Sequence, residues 1–282
     1  MEYVMSELLI KARDGRYGIP AVDTFDMVSV LSCFLAAEKE KSPVIIMTCG
    51  YELEYLHINY ADFVRLVRAI AERFPEVPYS IHLDHGTEEE CYAALEGGFP
   101  SVMYDGSFGP FDDNVAVTAK LKKAAGKDRC VEAEVGRVGG EEGKGMSAES
   151  TIIESDPAEL VEFLAKTEAD TIAVSIGNIH GVHGFVKRAP KLNFELLQEL
   201  RSKCGVPLVL HGASDIPEAD INKAVSLGIS KINYYSQLFR AFMQSVKENV
   251  DLPVEECLSK GIDVLTEEIC KLMRMCGSSG KA

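Results

Sequence analysis

Apolar and polar positions alternate along this chain in a repeating order. Short runs rich in β-branched and other apolar residues stand at 18–25, 43–48, 79–83, 101–105, 130–135, 171–176, 207–210 and 231–234. Each reads as a strand. Between them lie stretches with apolar residues three and four apart, at 62–73, 88–96, 157–167 and 193–203, which read as amphipathic helices. Local start signals agree. Thr87 precedes Glu88-Glu89-Glu90, and Asp156 precedes Pro157, so each helix opens on a side chain able to cap its free N–H groups, the second with proline at the first helical position. Gly205 and Gly228 stand where helices should stop. Eight strands alternating with helices predict an α/β fold, a single (β/α)8 TIM barrel over residues 1–282. An open doubly wound sheet is the alternative. A further helical stretch at 253–275 predicts a C-terminal helical extension, and the Gly-Ser-rich tail 277–282 is expected to be mobile.

Length and composition narrow the class. A chain of 282 residues buries about 75% of its unfolded surface on folding and needs no covalent staples. Its net charge of −15 argues against a nucleic-acid partner, which would demand a basic face. The eight cysteines include no Cys-x-x-Cys pair, and Met1-Glu2-Tyr3-Val4-Met5 lacks the basic-then-apolar pattern of a secretory leader. Reduced thiols and a cytoplasmic location are expected. No apolar run approaches a membrane span.

The chemistry-bearing residues collect after the strands. Five of the six histidines fall in or beside three segments: His82-Leu83-Asp84-His85-Gly86, Gly177-Asn178-Ile179-His180-Gly181 and Leu210-His211-Gly212-Ala213-Ser214. In a barrel those ends share one rim. Three imidazoles there can hold one divalent metal and leave a coordination position open, as catalytic zinc sites do. A lone histidine at a strand end is usually structural; three together are not easily explained that way. His82 lies two residues from Asp84, on the same strand face, and is expected to stand behind the ligands. His183 is expected to be exposed, and His57 has no supporting context. Asp84 either orients a histidine or serves as general base; the second reading is preferred. Glu132 and Glu134 have strand spacing and face one side, so two carboxylates inside a barrel need a metal or cationic partner. Asp105 ends the fourth strand, and Asn233 lies in the eighth.

Two glycine-rich loops add to this set. Gly136-Arg137-Val138-Gly139-Gly140-Glu141-Glu142-Gly143-Lys144-Gly145 reads either as a solvated loop or as a lid that carries a carboxylate into the site. It is not a phosphate-binding P-loop, because Lys144 is followed by Gly. After the seventh and eighth strands come Gly212-Ala213-Ser214 and Asn233-Tyr234-Tyr235-Ser236. That is the usual phosphate position of such barrels, and small residues there let backbone N–H groups reach an anion. Together they argue for a phosphorylated substrate.

In this ordered set the chain resembles the class II, metal-dependent ketose-bisphosphate aldolases. The resemblance runs from Ile19-Pro20-Ala21-Val22 through Leu83-Asp84-His85-Gly86, Tyr104-Asp105-Gly106-Ser107, Glu132-Ala133-Glu134-Val135-Gly136 and the two later histidine segments to Cys276-Gly277-Ser278. It implies a lyase that cleaves a ketose phosphate to dihydroxyacetone phosphate and an aldehyde. It implies Zn2+ on His85, His180 and His211, with Asp105 and Glu134 at a second or alternative metal position. Asp84 would take the C4 hydroxyl proton, Glu142 (or its neighbour Glu141) would exchange the C3 proton, and Asn233 would hold the ene-diolate. Gly181, Gly212, Ala213, Ser214 and Ser236 match the phosphate-binding region, where the family can also place a monovalent cation, Na+ or K+. The resemblance further implies a homodimer or homotetramer. The Gly-Ala-Ser form is more similar to the tagatose-bisphosphate branch. Asp23, Gly184 and Tyr235 replace residues usual in the fructose enzymes and leave the aldehyde half open, with a sugar-acid phosphate or a differently phosphorylated ketose as alternatives. Two competing readings are a lysine Schiff-base aldolase, for which Lys231 is the candidate although it reads as lying at a strand start, and a degenerate barrel that binds a sugar phosphate without turnover.

Overall fold

In the computed structural model, residues 1–140, 152–180 and 191–282 are described. Their elements run α1 (Met5–Gly15), β1 (Ile19–Asp23), α2 (Met27–Glu40), β2 (Val44–Cys49), α3 (Gly50–Tyr55), α4 (Tyr60–Ala71), β3 (Tyr79–Gly86) and α5 (Glu88–Glu96). Then follow β4 (Ser101–Tyr104), α6 (Phe111–Ala125), β5 (Cys130–Val135), β6 (Gly139–Gly140), α7 (Pro157–Thr167), β7 (Thr171–Val174) and β8 (Ile179–His180). The chain ends with α8 (Phe194–Lys203), β9 (Leu208–Leu210), α9 (Glu218–Ser226), β10 (Ile229–Tyr234), α10 (Ser236–Glu248) and α11 (Val254–Met275). Eight parallel strands close in the order β1-β10-β9-β7-β5-β4-β3-β2. This is the (β/α)8 barrel that the alternation predicts. The minor strands β6 and β8 pair with each other outside it.

Period-two alternation sorts each strand into two faces. Tyr79, Ile81 and Leu83 of β3, and Val131, Ala133 and Val135 of β5, pack into the annulus under the helices. The intervening His82, Asp84, Glu132 and Glu134 are buried on the other face. The space inside the barrel is graded along its axis. At the amino-terminal end Met5, Leu8, Leu9 and Ala12 of α1 close the barrel against Ile19, Ile45 and Cys130. Charged groups lie toward the carboxyl end.

The caps form as read. Thr87 accepts from the Glu90 N–H at 3.2 Å, and Glu90 returns the favour to the Thr87 N–H at 2.8 Å. Asp156 accepts from the N–H groups of Ala158 and Glu159.

The tail departs from expectation: it is tied down. Ser278 is fully buried and accepts from Ser42 Oγ at 2.7 Å. The N–H groups of Gly280 and Ala282 donate to the carbonyls of Glu40 and Lys41, each at 2.8 Å. Those carbonyls end α2 and have no partner within their own helix, so the polar tail completes that helix's hydrogen bonding.

Candidate active site

Asp84 and His85 are adjacent, yet both enter the site. Strand alternation alone would send them to opposite faces. His85 resolves this by adopting a left-handed backbone, φ 43°, within a register shift between β3 and β4 at Leu83/Gly86. Such a conformation is costly for a residue with a Cβ and persists where the surroundings impose it.

His85, His180 and His211 converge. Their rings stand nearly perpendicular to one another, with centroids 4.6–5.5 Å apart, and each offers a ligand atom within 4.8 Å of the others. The nitrogens that point away from the centre are held by carboxylates. His85 Nδ1 lies 3.0 Å from Asp105 Oδ2, and His211 Nε2 lies 3.0 Å from Glu132 Oε1. This leaves His85 Nε2 and His211 Nδ1 facing each other at 2.7 Å. Carboxylates behind imidazoles fix the tautomer and aim the lone pair, the usual arrangement around a bound metal. Burial pushes the His211 imidazole below its ordinary value, which favours the neutral, ligating form. The donor set therefore fits a divalent metal such as zinc.

Backbone staples place the other two imidazoles. Asn178 Oδ1 accepts from the Ile176 N–H at 2.8 Å, and its Nδ2 donates to the His211 carbonyl at 3.0 Å. Gly212 has φ 59°, and a Cβ there would strike the Ile179 carbonyl group. Gly140, φ 103°, lies equally close to the His180 backbone. Small residues thus let β6, β8 and the turn after β9 press together around His180 and His211. The role of Asn178 was not read from the sequence; its only signal is its place within Gly-Asn-Ile-His.

Beneath the imidazoles lies a buried charged layer. Lys231 Nζ sits 2.9 Å from Glu132 Oε1 and 3.7 Å from Asp84 Oδ1. Thr171 donates to Glu132 Oε2 at 3.1 Å. Burial would raise the Glu132 carboxyl, but the Lys231 charge and the His211 bond outweigh it and hold Glu132 at about 2. Asp84 follows the same logic. Burial opposes its charge, while His85, Lys231 and His211 together keep it well below the usual carboxylate range. His82 stands behind, as expected, with Nδ1 2.7 Å from Ser101 Oγ and Nε2 3.6 Å from Asp84 Oδ1.

Lys231 corrects one expectation. It does not sit at a strand start, because β10 opens two residues earlier at Ile229. Its side chain is fully buried. Burial alone would lower its ammonium, but Glu132 and Asp84 raise it above the ordinary value. A Schiff-base lysine must be a neutral amine, so this environment opposes that chemistry.

The remaining predicted residues fall as follows. Asn233 Nδ2 donates to Asp84 Oδ2 at 2.9 Å. Glu134 is buried and accepts from the Val138 N–H at 2.9 Å. Ala213, Ser214 and Ser236 are buried at the ends of β9 and β10, and α10 begins at Ser236, placing a helix amino terminus at that rim. Glu141, Glu142, Gly181, His183 and Gly184 lie outside the described residues.

A closed parallel barrel with this rim of imidazoles and carboxylates defines a (β/α)8 enzyme. Residues 3–281 match the profile of the class II fructose-bisphosphate aldolases, and the chain belongs to that family, whose members are aldehyde-lyases. It is 37% identical to a fructose-bisphosphate aldolase of Geobacillus stearothermophilus, over 99% of this chain and 98% of that protein. It is 35% identical to a 6-phospho-5-dehydro-2-deoxy-D-gluconate aldolase of Bacillus licheniformis, over 99% and 96%. Among solved structures, the YdjI aldolase of Escherichia coli K12 superposes with a TM-score of 0.88 at 32% identity, over the whole of both chains.

Proposed function

We propose that this aldolase reversibly cleaves a phosphorylated ketose to dihydroxyacetone phosphate and an aldehyde, using zinc held by His85, His180 and His211. The observation that carries this reading is the convergence of the three imidazoles beside a buried, ionised Asp84. A divalent metal held there would supply Lewis acidity for the ketose oxygens. Asp84 takes the C4 hydroxyl proton. The C4–O bond becomes a carbonyl, the C3–C4 bond breaks, and its electron pair passes to the ene-diolate. Asn233, held by Asp84 through Nδ2, offers its amide to that species. Glu142 then returns a proton to C3. The phosphate is assigned to Gly181, Gly212, Ala213, Ser214 and Ser236, on small residues and the amino end of α10, with Na+ or K+ as the companion of that subsite. Asp105 and Glu134 serve as orienting or alternative metal carboxylates.

The relatives' names make fructose 1,6-bisphosphate the first ketose to test, and the Gly212-Ala213-Ser214 form makes the tagatose epimer the second. A cytoplasmic homodimer or homotetramer acting as one unit over 1–282 completes the proposal. Among the described residues no helix is long and apolar enough to cross a membrane.

Zinc-loaded protein given dihydroxyacetone phosphate and an aldehyde panel is expected to form ketose phosphates, with the C4 configuration of the product deciding between epimers. Chelator should abolish turnover, and borohydride should trap no substrate on the chain. Turnover that survives chelation with trapping at Lys231 would replace this reading with the Schiff-base one. Tight sugar-phosphate binding without turnover on any aldehyde would replace it with a binding barrel.

A further inference from the structure

The amino-terminal end of the barrel, opposite the site, carries a cavity of about 320 Å³ lined by Arg13, Arg16, Tyr17, Arg201, Leu227 and Gly228, among others. Three guanidinium groups on one cavity stand out in a chain of net charge −15. Two of them are fixed by the protein itself. Arg201 donates through Nη1 to the Val206 carbonyl at 2.9 Å and through Nη2 to the Cys204 carbonyl. Arg13 donates through Nη1 to the Gly205 carbonyl at 2.7 Å and through Nε to Asp14 at 2.8 Å.

Gly228 makes room for this. Its φ is +114°, and a Cβ there would lie 2.5 Å from Arg201 Cδ. The arginine stem therefore lies flat on a glycine, and its head reaches the carbonyls after α8. Among the described residues these bonds leave Arg201 Nε and Arg13 Nη2 without a protein acceptor. Among the described residues Arg16 has no side-chain hydrogen bond or ion pair, and it is exposed at the left-handed end of α1, φ 55°. Burial, and after it the neighbouring Arg13 charge, oppose the Arg201 cation, and Asp14 on the Arg13 side offsets them only in part, so a further anion on this cavity would stabilise the cluster. Among the other walls, Val225, Leu227, Ile229 and the Tyr17 ring are apolar and Ser226 is polar, a lining that suits the body of a small organic molecule.

We infer that this cavity is a second anion site, distinct from the catalytic rim, that takes the phosphate group of a small phosphorylated metabolite on Arg13, Arg16 and Arg201. The protein bonds hold the Arg13 and Arg201 heads in place while Arg16 stays open, so phosphate would be met by charge-assisted hydrogen bonds from positioned guanidinium groups. The site is independent of the aldolase reading. Its floor is the start of β10, the strand that carries Lys231 and Asn233.

The test uses tungstate as the phosphate probe, soaked into crystals of the full-length protein over a concentration series. Anomalous density is expected among Arg13, Arg16 and Arg201. Arg16→Asn, chosen because asparagine tolerates the left-handed conformation, should raise the half-occupancy concentration at this cavity about tenfold, the loss of one charge-assisted contact of roughly 1.4 kcal/mol. Tungstate occupancy at the Ser214–Ser236 rim should stay the same, which gives an internal control for folding. No density in the cavity at the highest tungstate concentration the crystals tolerate, whether or not the rim fills, or density indifferent to Arg16→Asn, overturns the inference.

Discussion

Asp84→Ala is expected to lower aldol turnover about 1,000-fold, within the range for loss of a positioned general base, while the zinc content stays that of the wild type. The carboxylate is fully buried, with neighbouring charges holding it well below the usual carboxylate range, and its contact with the three imidazoles among the described residues is the 3.8 Å to His85 Nε2. Its removal therefore leaves the imidazoles and their supporting carboxylates in place. The variant should also still exchange the C3 hydrogen of dihydroxyacetone phosphate with deuterium from solvent, because that step does not involve the C4 hydroxyl. Parallel loss of exchange and turnover would mean that Asp84 shapes the site rather than acting on C4. Turnover within tenfold of wild type would remove it from the mechanism.

Lys231→Met should destabilise the fold by about 3–5 kcal/mol, the cost of stripping one partner from a buried ion cluster. In a chain of this size that corresponds to a fall in Tm of roughly 10 °C. Glu132 and Asp84 lose their shared cation, while the apolar stem is nearly preserved. The effect carries a pH signature. The folded-state pKa of Glu132 is depressed from an ordinary 4.5 to about 2 by burial's being outweighed by Lys231 and His211. A depressed carboxylate contributes stability above its unfolded pKa and loses it as pH falls toward the folded one. The gap between wild type and variant should accordingly be widest at neutral pH and narrow below about 4.5. Urea titrations at several pH values measure it. A pH-independent loss below 1 kcal/mol would place Lys231 among weakly coupled, solvated pairs.

Much of this architecture could be read from pattern. The predicted strands at 130–135 and 79–83 carry the same inward residues that the barrel buries, because side-chain alternation needs only the correct register. The predicted helices at 88–96 and 157–167 coincide with α5 and α7, where capping side chains mark the start. The gathering of His85, His180 and His211 was legible because strand ends in a barrel share a rim. Other features depend on three-dimensional neighbours. The left-handed turn at His85 has no glycine to announce it. The Lys231–Glu132–His211 chain joins residues 99 and 79 positions apart, which no local pattern encodes. The docking of the tail on α2 likewise answers to the Glu40 and Lys41 carbonyls and the Glu40 carboxylate, the last 239 residues from Ser279, and its Gly-Ser composition points the other way.

The central claim is that three distant imidazoles share one metal ion. X-ray absorption at the zinc edge, on protein purified with one equivalent of zinc, tests it most directly. The account predicts three nitrogen ligands at about 2.0–2.1 Å from a single zinc per chain, with zinc content falling below one-tenth in His180→Ala at the same loading. A zinc shell containing sulfur, or full zinc content in His180→Ala, would contradict it.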